Sequence, residues 1–364
     1  MPDLSFIPDW ASPPGATILD ILEERSLTSN AFAGMIGCSE AQTKDLIEGR
    51  SPLTIDIARR LSSTLGASVE FWISRDYQYH EDVERLQAPL SPWLAELPVA
   101  DMIRFGWLSP APAPVDLGKA CLDFFGVGSL GEWQGTYGRL PQTFSFRTSA
   151  SHEPKAGAVA AWLRRAELEA EQIECAPWDK DQFVALLPRL RALTQQADPA
   201  RFLPALRAAC AACGVAVVSV RSPDGCRASG ATRFLSPNKA LLALSFRHLT
   251  DDHVWFTFFH EAAHLILHGP ERMFVEAEGA PNTREEDEAN AFAAQALIPD
   301  ELVPALMKLP VNARTVIRFA VEAGVSPGIV VGQLQHRRRL RPNQLNKLKR
   351  HYVWGKEGLS RGTR

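Results

Sequence analysis

Residues 255–269, WFTFFHEAAHLILHG, set two histidines and a glutamate inside an otherwise apolar stretch. Burying such groups without partners costs several kcal/mol, so the fold must supply either a hydrogen-bonded core or a metal ion to compensate them. His260 and His264 are four residues apart. On a helix both rings leave one face and can reach one ion, with Glu261 beside them. This HExxH arrangement suits a hydrolytic zinc site, in which neutral imidazoles bind the metal and the glutamate takes a proton from water that the metal polarises. The motif arises by chance in a chain this long on the order of 1% of the time, so a third ligand is needed to make the case.

His268 continues the same row but lies two helical turns, about 12 Å, from His260, too far to share an ion with metal–nitrogen distances near 2 Å. It is expected as a helix C-terminal residue beside Gly269, favoured by the helix dipole. The better source is REEDEANAFAAQALIPD, residues 284–300, which reads as a second helix with an acidic start. Glu286 and Asn290 are spaced i, i+4, so one carboxylate can bind metal while the amide one turn later fixes a histidine or the ligand itself. Glu285 and Glu288 compete for the ligand role, and spacing alone does not separate them.

The rest of the chain supplies context. With 364 residues, 46% hydrophobic and a net charge of -3, it reads as an ordinary globular protein of two or three compact units. The start lacks the basic and apolar regions of a secretory signal, and there is no apolar run of membrane-spanning length. The expectation is a cytoplasmic protein with reduced cysteines. Cys210 and Cys213 form CAAC within ALRAACAACGV, which fits the buried end of a helix rather than a redox pair or half a zinc site.

Residues 15–80 read as five short helices opening on Thr or Ser and closing on Gly, with the corner GCS between the second and third. Such a corner is what a helix-turn-helix requires. Residues 87–200 mix Pro-rich loops with helical patterns. VAVVSV and ALLALSF beyond Gly214 read as strands preceding the histidine-bearing helix. The last stretch, residues 336–364, holds ten Lys or Arg against one Glu, a cluster suited to a polyanion or to the acidic N-terminal part, or simply a solvated tail.

Two resemblances follow. FTFFHEAAHLILHG followed by EEDEANAFAAQALIP, within residues 214–336, resembles the ImmA/IrrE family of metallopeptidases, whose fold is similar to a reduced thermolysin-type enzyme. The resemblance implies Zn2+ bound by His260, His264 and Glu286, Glu261 as catalytic base, and Asn290 at the polar position one turn after the third ligand. Ala263 stands where the family often has Gly. His336 in VVGQLQHRRR is a candidate for stabilising the tetrahedral oxyanion, against the plainer reading of a surface histidine.

PPGATILDILEE and IEGRSPLTIDIARRLSSTLGASVEFW are similar to the Xre-type helix-turn-helix of HigA-like antitoxins over most of residues 13–80. That resemblance implies operator DNA binding as a dimer, with exposed Gln42, Thr43 and Lys44 near bases or phosphates and Ser39 and Arg50 completing the candidate contacts. Residues 1–80 hold six basic against eleven acidic side chains; because phosphate neutralisation dominates DNA affinity, a scaffold that no longer grips DNA is the competing expectation.

The combined expectation is an α+β, mostly α chain in four segments. These are a helix-turn-helix domain (1–82), a helical connecting region (83–205), a peptidase domain with a small sheet (206–336) and a basic C-terminal segment (337–364). Its function is expected to be a zinc endopeptidase coupled to DNA binding, cutting a repressor or antitoxin in a stress, phage or toxin–antitoxin circuit, with a toxin partner and a homodimer as further associations and no membrane. The alternative is a DNA-binding antitoxin or repressor whose peptidase fold serves only for sensing or partner binding.

Overall fold

The computed structural model describes residues 10–87, 90–110, 114–138, 155–270, 273–277, 283–355 and 358–362. The chain's first nine residues, read above for a leader, and residues 139–154 of the middle region lie outside these. The fold is mostly helical with a small sheet, as expected, and it divides into two units: residues 1–95 with 108–130, and residues 96–107 with 131–364.

The first unit has the five expected helices, α1 (Pro14–Glu24), α2 (Ser29–Ile36), α3 (Glu40–Ile47), α4 (Ile55–Leu65) and α5 (Val69–Gln87); α2, α3 and α4 follow the predicted punctuation, whereas α1 opens on Pro14 without a side-chain cap and ends at Arg25. Thr28, Ser39 and Thr54 each accept a backbone N–H as N-caps, and Gly37 ends α2 in the left-handed conformation (φ 63°). Ile18, Leu22, Phe32, Ile36, Leu61 and Trp72 form their shared core. The expected DNA contacts fare unevenly. Thr43 is 2% exposed, so its predicted exposure is corrected: the helical period turns it inward beside Leu46. Ser39 and Gln42 close a capping box on each other. Arg50 is tied to Asp45 and Glu48, whereas the Lys44 side chain is 69% exposed.

The second unit is built on a mixed sheet of order β1-β3-β2-β4, from β1 (Val215–Ser219), β2 (Ala228–Ser236), β3 (Lys239–Leu244) and β4 (Phe274–Ala277). β1 and β3 pair in parallel; β2 runs antiparallel to both β3 and β4. Side chains alternate between faces along a strand, and β2 shows both faces in use. Thr232 bonds Glu261 on the histidine-bearing helix, while its neighbour Arg233 bonds Glu167 on another helix, Ala156–Glu171. Covered on both faces, β1 and β3 carry continuous apolar runs instead of alternating ones.

The structure groups the chain differently from the four expected segments. Helices Ala156–Glu171, Lys180–Leu193 and Pro199–Ala211, predicted as a connector, pack into the second unit; Trp162 Nε1 donates to Val220 O at 3.0 Å, and Phe202 meets Trp255 with ring centroids 5.2 Å apart. Cys210 and Cys213 are buried free thiols, as the helix-end reading required, and burial pushes the Cys210 thiol up.

The basic segment is likewise docked and is not a separate tail. Arg350 donates through its guanidinium to the carbonyls of Thr194 and Gln195, and its N–H donates to Asp251 Oδ1 at 2.9 Å. Lys349 Nζ lies 2.6 Å from Asp252 Oδ2, and Tyr352 is buried in the core. The strands Tyr352–Gly355 and Gly358–Arg361 then close a short hairpin. No single helix among the described residues is long and apolar enough to cross a membrane.

Candidate metal centre

The histidine helix, Asp251–Leu267, is buried along most of its length between the sheet and helices Arg284–Leu297 and Pro327–His336. Being covered all round, it has an apolar sequence that shows no clean amphipathic stripe. Its polar groups are therefore the ones that need partners. Thr283 caps the Arg284–Leu297 helix by accepting the Glu286 N–H, which fixes Glu286 in the first turn.

The two helices bring His260, His264 and Glu286 together, with one donor atom from each lying within 4.8 Å of the others. His260 Nε2 is 3.0 Å from His264 Nε2 and 3.1 Å from Glu286 Oε2, and His264 Nε2 is 3.6 Å from Glu286 Oε1. Ligands at about 2.0–2.1 Å around a tetrahedral ion sit about 3.3 Å apart. The donor set thus fits a small divalent cation without rearrangement, and imidazole nitrogen with carboxylate oxygen is a donor set that such cations take. Glu285 lies outside this cluster.

Glu288 has a different partner. His264 Nδ1 is 2.9 Å from His268 Nδ1, His268 Nε2 is 3.2 Å from Glu288 Oε2, and Arg284 Nε donates to Glu288 Oε1 at 2.7 Å. With His268 neutral, one set of protons meets these contacts: His268 Nε2–H donates to Glu288, His264 Nδ1–H donates to His268, and the His264 Nε2 lone pair is left for a metal. His268 caps the helix as expected, but it also orients a ligand, a role that spacing to a shared ion could not reveal. His260 is held the same way, its Nδ1–H donating to Asn290 Oδ1 at 3.1 Å. The His264 ring also stacks on Phe274, centroids 4.1 Å apart.

Burial, with the positive charge of His260, lowers the His264 pKa to about 3, which keeps it neutral and able to ligate. For His260, burial works against protonation. The Glu286 hydrogen bond and the charges of Glu276, Glu261 and Glu286 outweigh it and raise its pKa to about 9. Metal uptake must therefore displace a proton.

Glu261 is fully buried; its Oε2 accepts from Thr232 Oγ1 at 3.1 Å and its Oε1 has no partner. Burial pushes its carboxyl far up, opposed by the His260 charge and reinforced by Glu276 and Glu286. A carboxyl so placed keeps its proton until positive charge beside it favours the carboxylate, the form a general base must present. Gly230 makes room for it, since a Cβ there would lie 2.5 Å from Glu261 Oε1. A glycine within a strand marks such close approach, and it was the one available signal for this part of the cradle. Thr232 and Glu276 gave none. His336 lines a cavity that also reaches Glu276 and Phe256.

Replacing His268 or Glu288 by alanine is expected to weaken zinc affinity by about 10- to 100-fold, measured by competition with a chromophoric chelator on folded protein. Unchanged affinity in both variants would show that the rings are positioned without this chain of bonds.

No curated protein matches the chain. The segment that carries the centre is nevertheless similar to a peptidase family: residues 219–335 match the family model described as Peptidase_M78, IrrE N-terminal-like domain.

Proposed function

We propose that this chain is a zinc-dependent endopeptidase that cuts a regulatory protein of repressor or antitoxin type, with an N-terminal helical unit that contacts DNA. The observation that carries the catalytic half is the convergence of His260, His264 and Glu286 on one point with Glu261 buried alongside. Bound there, zinc supplies a Lewis acid that activates water and polarises a peptide carbonyl. Glu261 accepts the proton of the attacking water and returns it to the leaving amine. Thr232 orients that carboxylate through its 3.1 Å hydrogen bond. Asn290, His268 and Glu288 keep the imidazole lone pairs aimed inward. His336, on the wall of the adjoining cavity, is the residue assigned to the developing oxyanion.

Glu261→Gln should retain zinc and lose cleavage. N-terminal proteomics of cells expressing the wild type or this variant reads the result: new protein ends are expected with the wild type alone. The same ends with both proteins would remove Glu261 as the base, and none with either would favour a regulator whose peptidase fold only senses or binds.

The DNA half rests on the ordered α2–α3 corner and on Lys44, the exposed basic residue of α3. In selection from random and promoter DNA, the full-length protein should enrich a defined sequence, and Lys44→Ala should weaken that binding several-fold with a shallower salt dependence. Absence of any enriched sequence would discard this half and leave the peptidase standing.

A further inference from the structure

The helix face that carries His260 continues toward its N-terminus through Phe256 and Asp252, each one turn from the next, and borders a cavity of about 520 Å³. Glu276 of the edge strand β4 forms part of the wall, as do Gln333 and Ile329 of the Pro327–His336 helix and Lys349 of the C-terminal segment. Phe256, Leu297, Ile329 and Pro342 give the cavity apolar sides.

Three acceptor atoms of its lining residues lack donors. Asp252 and Gln333 are 7% and 4% exposed, and Asp252 Oδ1 and Gln333 Oε1 have no hydrogen-bond partner; the same holds for Glu276 Oε2. The cations in the wall are engaged. Lys349 Nζ contacts Asp252 Oδ2 at 2.6 Å and donates to Gln335 Oε1 at 2.8 Å, and Arg247 donates to the Arg227 carbonyl at 3.1 Å. Lys349 balances Asp252, and the Glu276 oxygen stands unpaired nearer the metal centre, where its charge already bears on His260 and Glu261.

Unpaired buried acceptors are costly, and a ligand that brings donors recovers that cost. A side chain with a hydrocarbon stem and a charged N–H head matches both the apolar sides and the acceptors. We propose that this cavity is the subsite for a basic substrate side chain, arginine or lysine, beside the bond to be cut. The assignment rests on the peptidase reading above. It also gives the C-terminal segment, beyond the family-matched residues, a part in selecting substrate, because Lys349 and Pro342 complete the wall.

Amino-acid hydroxamates test this on the zinc-loaded full-length protein, because the hydroxamate anchors at the metal and the side chain samples the adjoining space. By calorimetry, arginine hydroxamate should bind about tenfold or more tightly than norleucine hydroxamate, which keeps the stem but lacks the donors, and glutamate hydroxamate should bind least well. In Gln333→Leu and, separately, Glu276→Gln the arginine-to-norleucine ratio should fall toward one; either folded variant suffices. Equal affinities for all side chains, or a preference for glutamate, would overturn the subsite alone. A zinc-loaded protein that takes up none of the hydroxamates would instead overturn the peptidase reading, and the subsite with it.

Discussion

The second unit is organised around one electrostatic problem: the carboxyls of Glu261, Glu276 and Glu286 bear on two imidazoles inside the protein. Acidic groups this close in a low-dielectric interior cannot all ionise without positive charge among them. The chain's own remedy is protons, one on His260 and one on Glu261, whose affinities for them are raised. A divalent cation is the other remedy, and it uses the same lone pairs. Proton and metal therefore compete for one centre, and the hydrogen bonds that the two rings donate to Asn290 and to the His268–Glu288 pair favour the metal by keeping the Nε2 atoms directed inward.

The surrounding architecture holds the histidine helix turn by turn. At its start, Asp251 accepts from Ser326 Oγ at 2.7 Å and from the Arg350 N–H, while Asp252 meets Lys349. Such close packing against the Pro327–His336 helix needs Gly328, where a Cβ would lie 2.2 Å from Asp251 Oδ1. In the middle, Glu261 is tied to the sheet through Thr232. At the end, His268 joins Glu288. Each turn thus answers to a different element, including the segment after residue 336, so metal-ligand geometry depends on chain far outside the motif.

How much of this was legible follows from what is local. The HExxH spacing, the N-caps of α2, α3 and α4 and the apolar runs of β1 and β3 are properties of short windows, and they read correctly from the residues. The choice among Glu285, Glu286 and Glu288 was not local, because it depends on which side of one helix faces another; the resemblance to a known family pointed to Glu286, and the geometry pairs Glu288 with His268 instead. The docking of the basic end was hidden for the same reason. Its charges look solvated in sequence, yet Arg350 and Lys349 find partners about a hundred residues away or more, on Gln195 and Asp252. Thr43 was placed outward by analogy, although the helical period around Leu46 turns it into the core.

The most direct test of the account is X-ray absorption at the zinc edge of the full-length protein, with Glu286→Ala alongside. The account predicts one tightly held zinc with two imidazole nitrogens and carboxylate or water oxygen at about 2.0–2.2 Å, and loss of tight binding in the variant. A shell containing cysteine sulfur, or an unchanged shell and affinity in Glu286→Ala, would contradict it.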